Sequence, residues 1–293
     1  MSLTDDIRAG SARVAARARR VRIAEEGIEA YAAGLPAGSP PAPDLPGASD
    51  EDRAAFQLTL NAINFGSGWF PTLRKRAGMS GFRTVEAGLR DRGPWPAEHL
   101  ATIGRREIAG VLGQDPDHEL MGLFETALRE LGERVAGRFL PFARAHGSAE
   151  GLAEHLATWP TWFDASPYED LTVPFFKRAQ IAAADLALAG LIPGNDLHRL
   201  TIFADNLVPH VLRLDGVLEF DDDLVRRIDA EELIAHDSPE EVEIRACAVH
   251  AVELLVAAHG ATTAAAVDNH LWHRGGGPRY KARPRHRART TAY

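Results

Sequence analysis

Apolar residues recur at helical spacing along most of the chain. Residues 4–33 are rich in Ala, Arg and Glu and contain no proline, a pattern that predicts one long amphipathic helix. After Asp115-Pro116, apolar side chains recur every three or four residues and predict a helix with one buried face. Those side chains are Leu120, Phe124, Leu128, Leu131 and Val135.

The ends of a further helix are marked by residue type. Ser238-Pro239-Glu240-Glu241 has the spacing of a capping box, with proline at the first helical position, and Gly260 is placed to close the helix. Signals for β-strands are confined to two short runs, 171–176 and 216–220. The pattern therefore predicts an all-α fold, a single compact helical domain over residues 1–293. Its proline-rich connector, residues 34–50, is expected to wrap around that domain as a loop.

Composition narrows the class of protein. The chain is 45% hydrophobic and 25% charged, as soluble globular proteins are, and it has no apolar run of about 18 residues that could span a membrane. Its start lacks the basic and apolar stretches of a secretory signal. Cys247 is the only cysteine, so no internal disulfide can form. We expect a soluble, cytoplasmic monomer with no membrane partner.

The net charge of −8 is unevenly distributed. The basic C-terminal tail, residues 274–293, contains seven Lys or Arg and no acid, which leaves 26 basic and 41 acidic residues in the rest of the chain. A body this acidic repels duplex nucleic acid, so we expect no duplex partner. The tail is either a solvated, disordered end or a segment that contacts a phosphate.

Motifs for metals and phosphates are weak. His270 and His273 are three residues apart but have no cysteine nearby and no glutamate between them, which disfavours a zinc site. The Gly275-Gly276-Gly277 run lacks the Lys-Ser/Thr that follows a phosphate-binding loop. We expect no metal and no cofactor, so any chemistry rests on carboxylates.

Asp205 lies at a predicted helix break. The segment 197–214 is expected to be helical to about Leu207, yet Pro209 falls inside the continuation and clashes with the carbonyl four residues earlier, that of Asp205. The helix should kink or restart there, beside Phe203. A carboxylate at such a break can bind a ligand, or it can simply cap the second half-helix. Both interpretations stay open.

Two other segments carry candidate binding residues. Lys177 and Arg178 begin an alanine-rich helix, where cations oppose the helix dipole, so they either hold an anion or form salt bridges. In residues 267–273, Asp268 and Trp272 are four apart and share a helix face. Asp268 could accept two N–H groups from a guanine-like base, whereas Trp272 could stack on a ligand or pack in the core.

Several strings resemble a known family. NAINFGSGWFP, FFKRAQIAAADLAL, LTIFADNLVPHVLRLDGVLEF, EVEIRACAVHAVELL and DNHLWH with the Tyr293 ending are similar to the queuosine salvage proteins, the queuosine 5′-phosphate N-glycosidases, in order from about residue 55. The resemblance implies an all-helical fold related in shape to DNA glycosylases. It also implies a hydrolase that releases queuine from queuosine 5′-monophosphate for salvage into tRNA modification.

The resemblance also assigns roles to matched positions. It implies that Asp205 is the catalytic aspartate, that Phe203 stacks on the base and that Asp268 reads the base. The family has an aromatic residue more often where Asn206 and Asn269 stand, and a carboxylate can occur where His273 stands. The full set of expected substrate-binding residues is Phe203, Asp268, Asn269, His273, Lys177, Arg178, Asn206 and Trp272.

Two other functions remain as alternatives. A nucleic-acid lesion glycosylase would share a helical fold and a catalytic aspartate, although the acidic body argues against it. A non-catalytic helical nucleotide-binding module would use Asp205 only as a cap. For a nucleotide substrate, Lys177, Arg178 or an arginine of the basic C-terminal tail is expected to bind the 5′-phosphate.

Overall fold

The computed structural model describes residues 2–293, of which most are helical. With 55% helix and 6% strand, the fold is mainly α as predicted, but four short strands mean that it is not purely α. The helices are α1 Leu3–Ala15, α2 Ile28–Ala32, α3 Asp50–Ala62, α4 Gly81–Arg92, α5 Ala97–Leu100, α6 Arg105–Leu112, α7 Glu119–Val135, α8 Phe139–Arg144, α9 Ala149–Ala157, α10 Lys177–Leu188, α11 Val208–Leu214, α12 Asp222–Asp229, α13 Pro239–His259, α14 Ala264–Arg274 and α15 Pro278–Lys281. The strands are β1 Val21–Ile23, β2 Ala165–Tyr168, β3 Leu171–Pro174 and β4 Leu218–Phe220.

The chain divides into two compact units, each made of three separate stretches. Unit 1 contains the chain up to Pro41, Asp164–Lys177 and Leu197–Arg289, and unit 2 contains Ala42–Phe163, Arg178–Asp196 and Thr290–Tyr293. One boundary between them falls inside the predicted connector, which holds no named helix or strand before α3. The expectation of one domain over residues 1–293 stays a prediction. No helix within residues 2–293 combines the length and the apolar character that a membrane span requires.

Helix α13 is the centre of unit 1. It begins as the sequence predicts, with the Ser238 hydroxyl accepting the Glu241 N–H at 3.3 Å and Pro239 at the first helical position. It ends at Gly260, whose φ of 70° is the left-handed conformation that a residue without Cβ adopts most easily. Helices α1, α2, α11 and α14 pack against it. The core that they enclose includes Ile7, Val14, Ile202, Val211, Val249, Val252, Leu255 and Leu271.

The prediction of one helix over residues 4–33 is wrong. Helix α1 ends at Ala15, and the backbone N–H groups of Arg19, Arg20 and Val21 all donate to one Glu243 carboxylate oxygen, at 3.0, 2.7 and 3.2 Å. Because Glu243 lies on α13, this contact holds the chain out of a helical path. The next residues form β1, which pairs antiparallel with β4 in the register Val21 to Phe220. A tertiary carboxylate here overrides local helix propensity.

Both predicted β-runs contain strands, and each pairs with a strand that the sequence did not reveal. The run 171–176 contains β3, which forms an antiparallel hairpin with β2. The run 216–220 contains β4, the partner of β1. Strand β1 is short and lies within an Arg-rich stretch, and β2 contains Pro167, which masked both signals.

In unit 2, helix α7 matches the predicted single-faced helix. It begins at Glu119, after His118 caps it, and its five predicted apolar residues are all buried. Gly132 lies against the backbone of α5, where a Cβ would come within 2.3 Å of the Ala101 nitrogen. The absence of a side chain at Gly132 therefore allows α5 and α7 to pack closely.

Residues 274–289 of the basic C-terminal tail are folded onto unit 1 and are not a disordered end. His286 and Ala288 are buried, and the backbone of Arg287 pairs with that of Leu233. Four of the tail arginines form ion pairs with acids of unit 1, namely Arg274 and Arg279 with Asp215, Arg283 with Asp229 and Arg287 with Glu231. Part of the charge asymmetry in the sequence is thus neutralised within unit 1.

Glu243→Gln should lower the free energy of unfolding by about 2–3 kcal/mol. The substitution removes a buried charge that accepts three backbone N–H groups and the Tyr168 hydroxyl, and hydrogen bonds to charged groups contribute about 1.5–3 kcal/mol each. Urea unfolding followed by circular dichroism measures the change. Glu219→Gln, which breaks an exposed ion pair with Arg22, should cost less than about 1 kcal/mol. Equal losses for the two variants would contradict the anchoring role of Glu243.

Candidate functional site

The segment before α11 places the Asp205 carboxylate at the start of that helix. The prediction that a helix runs to about Leu207 is wrong. In the structure only Leu197–Arg199 is helical, as a short 3₁₀ turn, and the residues from there to α11 are irregular. Helix α11 begins at Val208 with Pro209 in its first turn, where proline's missing N–H costs nothing. The predicted restart of the helix near Asp205 is confirmed.

Asp205 is oriented by the backbone that follows it. Its Oδ1 accepts the N–H of Leu207 at 2.7 Å and that of Val208 at 3.1 Å. The carboxylate thus binds backbone N–H groups at the start of α11, although the N-cap residue itself is Leu207. Its Oδ2 accepts no hydrogen bond from any residue of the described chain 2–293. Asp205 is partly exposed. One carboxylate oxygen is therefore held, and the other can face a ligand.

Phe203 and Asp268 are joined directly. The Phe203 N–H donates to Asp268 Oδ1 at 2.9 Å, and both residues are buried. This hydrogen bond connects α14 to the irregular segment that carries Asp205. The residue expected to stack on a base and the residue expected to read it are thus adjacent in unit 1.

The basic C-terminal tail supplies a cation near Asp205. Asn206 Nδ2 donates to the His286 carbonyl at 3.2 Å, which brings the tail beside the segment. Burial lowers the pKa of the neighbouring Arg285 guanidinium, and the negative charge of Asp205 partly offsets that effect. Within residues 2–293, the Arg285 side chain has no hydrogen bond and no ion pair closer than 4.0 Å. Arg285 is partly exposed, and a partly buried cation without a paired carboxylate suits an anionic ligand.

Two buried histidines near Arg285 are neutral. Burial lowers the pKa of His210 to about 4 and that of His286 to about 3. His210 Nε2 donates to the Tyr280 carbonyl at 2.9 Å, which fixes the tautomer with hydrogen on Nε2. Its Nδ1 is buried and has no partner among the described residues. Protonation of Nδ1 would bury a donor without an acceptor.

Lys177 and Arg178 begin α10 as predicted, but they belong to different units. The Lys177 N–H donates to Asp164 Oδ2 at 2.9 Å in unit 1, and the residue is buried. In unit 2, Arg178 donates to the carbonyls of Ala62 and Thr161. Arg178 is 1% exposed, and two of its guanidinium nitrogens already donate to these carbonyls of unit 2.

The remaining predicted residues lie on α14 with Asp268. Trp272 is partly exposed, so it is not a core residue, and its ring lies 5.1 Å from that of His273. The exposed His273 donates through Nδ1 to the Asn269 carbonyl at 2.8 Å. Asn269, Trp272 and His273 therefore cluster on the turn that follows Asp268, and their contact with substrate stays a prediction.

One group of potential metal ligands occurs in the described part of the chain. His236, Asp237 and Glu241 offer ligand atoms within 4.8 Å of one another. The Glu241 carboxylate already lies 3.8 Å from the Arg245 guanidinium and accepts the Asp237 N–H at 3.3 Å. We assign no metal to this group, because a neighbouring arginine disfavours a second cation.

Arg245 and Asp164 were missed in the sequence. They form a buried ion pair through two hydrogen bonds of 2.8 Å, and Arg245 Nε donates to the Ala204 carbonyl at 3.0 Å. A single arginine within the apolar string EVEIRACAVHAVELL was the available signal, since a charge in a fully buried helix requires a partner.

A family model for queuosine salvage protein matches residues 45–293. This chain belongs to the queuosine salvage protein family. A relative from Sphaerobacter thermophilus is 36% identical over 265 residues, covering 83% of this chain and 82% of the relative. Relatives from Mus musculus and Schizosaccharomyces pombe are 30% and 33% identical, covering 54% and 49% of this chain and 51% and 48% of the relatives. All three are named queuosine 5′-phosphate N-glycosylase/hydrolase. The resemblance that the sequence suggested is confirmed.

His210→Gln should make stability less dependent on pH in acid. In the folded protein the pKa of His210 is about 4, below its ordinary value of 6.5. Between these two pH values His210 is therefore protonated in the unfolded chain but neutral in the folded one. Stability is therefore lost as pH falls from about 6.5 to about 4, by about 3 kcal/mol in full, and is unaffected above that range. Gln can still donate to the Tyr280 carbonyl but does not titrate.

The measurement is urea unfolding at several pH values between about 4 and 7, a range set by that shift. His286 and the carboxylates contribute to the slope in both proteins, so the difference between them isolates His210. His198→Gln, at an exposed position, should leave the slope as it is in the wild type. Parallel curves for wild type and His210→Gln would contradict the neutral, buried state of His210.

Proposed function

We propose that this protein cleaves the N-glycosidic bond of queuosine 5′-monophosphate and releases queuine for salvage into tRNA modification. The observation that carries the proposal is the Asp205 carboxylate, whose Oδ1 is held by two backbone N–H groups while Oδ2 accepts none within residues 2–293. Membership of the queuosine salvage family and the names of the relatives support the same reaction.

In this proposal Asp205 is the catalytic residue. Cleavage of the bond between ribose and base develops positive charge on the sugar, and a fixed carboxylate beside the anomeric carbon stabilises that charge. The hydrogen bonds to Oδ1 keep the carboxylate from rotating, so Oδ2 is presented in one direction. Such preorganisation costs no rearrangement at the moment of reaction.

Phe203 and Asp268 are proposed to bind the base. Queuine is a 7-deazaguanine and lacks the ring nitrogen that purine hydrolysis normally protonates, so its departure must be assisted at other edges. Asp268 would accept N–H groups of the guanine-like edge, and the Phe203 ring would stack on the base, worth about 1–3 kcal/mol. Further contacts to the base are proposed for Asn206, Asn269, Trp272 and His273.

Arg285 and Lys177 are the cations that we propose for the 5′-phosphate. Arg285 is partly buried, lies within electrostatic range of Asp205 and has no carboxylate partner within residues 2–293. An anionic ligand would satisfy its unused donors. Lys177 stands at the start of α10 next to Asp164. Arg178 already donates to the carbonyls of Ala62 and Thr161 in unit 2, so we propose that it supports the start of α10 and does not itself bind the phosphate.

We propose a cytoplasmic monomer that needs neither metal nor cofactor and does not bind duplex nucleic acid, and a helical fold similar in shape to DNA glycosylases. A lesion glycosylase would have to bind duplex DNA despite 26 basic and 41 acidic residues outside the tail. Filter binding at low salt, where phosphate contacts are strongest, distinguishes the two functions.

Wild-type protein in EDTA should release queuine from queuosine 5′-monophosphate, and Asp205→Asn should be slower by about three orders of magnitude. Asn keeps the size of the side chain but removes the charge that stabilises the developing cation. Mass spectrometry of the free base measures the rate. Asp170→Asn, an exposed aspartate of unit 1, is the matched control and should keep wild-type turnover. More than a tenth of wild-type activity in Asp205→Asn would remove Asp205 from the catalytic role.

Arg285→Gln should lower kcat/KM for queuosine 5′-monophosphate by roughly 10- to 150-fold, with little effect on queuosine itself. A charge-assisted contact contributes about 1.5–3 kcal/mol, and only the nucleotide can make it. Lys177→Met tests the second cation in the same way. Lys281→Gln, an exposed cation of the same tail, should change neither substrate. Equal losses on nucleotide and nucleoside would show that these cations do not bind the phosphate.

A further inference from the structure

A buried ion pair joins two segments that carry residues of the proposed site. Arg245 of α13 and Asp164, just before β2, form two parallel hydrogen bonds, Nη1 to Oδ1 and Nη2 to Oδ2, each 2.8 Å long. Their side chains are 0% and 2% exposed. A bidentate pair of this kind fixes both distance and orientation, because the planar guanidinium matches the plane of the carboxylate.

The guanidinium also binds the residue before Asp205. Arg245 Nε donates to the Ala204 carbonyl at 3.0 Å, so the peptide that leads into Asp205 is held by the same rigid group. The Phe175 ring lies 4.0 Å from the guanidinium carbon and packs against it as a cation–π contact. The Asp164 carboxylate and the Ala204 carbonyl thus bind two edges of the guanidinium, and the Phe175 ring packs on its face.

Asp164 in turn holds the chain that leads into Lys177. Its Oδ2 accepts the Lys177 N–H at 2.9 Å, and its carbonyl accepts the N–H groups of Phe175 and Phe176 at 2.9 and 3.2 Å. Phe176 has a φ of 46°, a left-handed conformation that persists in a bulky residue only where its surroundings impose it. The three hydrogen bonds to Asp164 hold residues 175–177 in this arrangement.

A second carboxylate balances the charge of Arg245. Glu241, one turn earlier on α13 and 0% exposed, lies 3.8 Å from Nη1. Apolar side chains of similar volume would stabilise a core at least as well as such a buried charged group. What the charged group adds is a fixed direction for Ala204 and for Lys177.

We propose that Arg245 and Asp164 are positioning residues for glycosidic bond cleavage, which set the Asp205 carboxylate in its working arrangement. Neither residue touches the substrate, and their effect passes through Asp205. The proposal rests on the proposed function, since it needs Asp205 to be the catalytic group. Small displacements matter in such a role, because misplacement by about 1 Å can cost about 100-fold in rate.

Arg245→Lys tests the proposal while keeping the buried charge. Lysine cannot form the bidentate pair and reach the Ala204 carbonyl at once, so kcat should fall by about 100-fold while KM changes by less than about threefold. Glu243→Gln is the matched control, because Glu243 is buried on the same helix and holds residues 19–21 without contacting Ala204. Its kcat per folded molecule should stay within about twofold of wild type.

The same substitution in the Asp205→Asn background separates positioning from general damage. If Arg245 acts through Asp205, Arg245→Lys should lower the rate of Asp205→Asn by less than about threefold. A loss of about 100-fold in both backgrounds would mean that Arg245→Lys only reduces the folded fraction, and the proposal would be overturned. Circular dichroism before each assay measures that fraction directly.

Asp164→Asn provides an independent arm if Arg245→Lys does not fold. Asn keeps one acceptor oxygen but loses the charge and one hydrogen bond of the pair, so it should give the same loss of kcat and the same non-additivity. Wild-type kcat in Arg245→Lys or Asp164→Asn, with Asp205→Asn inactive, overturns this proposal and leaves the proposed function standing. Wild-type turnover in Asp205→Asn itself would overturn both.

Discussion

A guanidinium with no exposed surface is tolerated only where neighbouring groups take its charge and its donors, and Arg245 imposes that requirement on unit 1. Asp164 and Glu241 supply charge, and the Ala204 carbonyl accepts from Nε. Glu243 lies two residues from Arg245 on the same helix. Its buried charge likewise requires partners, and it binds the backbone N–H groups of residues 19–21. Helix α13 therefore organises three distant stretches of chain through charged groups within one apolar helix.

The acidic body and the basic C-terminal tail are two halves of one electrostatic arrangement. Tail arginines pair with Asp215, Asp229 and Glu231, and those contacts bring the tail past Asn206. Arg285, which is partly buried and within electrostatic range of Asp205, lacks an ion-pair partner within residues 2–293. Most of the tail arginines pair with carboxylates, whereas Arg285 stays unpaired among the described residues near the proposed catalytic carboxylate. Such an unpaired cation is available to a phosphate-bearing ligand.

Local signals predicted the elements whose causes are local, and missed those with distant causes. The sequence predicted the cap at Ser238, the end of α13 at Gly260 and the start of α10, because each depends on neighbouring residues. The helix expected over residues 4–33 is broken by Glu243, more than two hundred positions away. Similarly, Asp268 and Arg245 take up backbone groups of residues 203 and 204. The roles of Phe203 and Asp268 came from the family resemblance, because no local pattern specifies which base a carboxylate reads.

The two interpretations of Asp205 that the sequence left open describe the same geometry. A carboxylate has two oxygens, so Oδ1 can accept the N–H groups of Leu207 and Val208 while Oδ2 faces a substrate. Capping restricts rotation of the side chain, and the N–H donors stabilise its negative charge, both of which favour a carboxylate that must oppose a cationic transition state. Pro209 lies in the first turn of α11, where its lack of an N–H leaves no helical hydrogen bond unmade. The constraint that ends the irregular segment is therefore the same one that aims the proposed catalytic group.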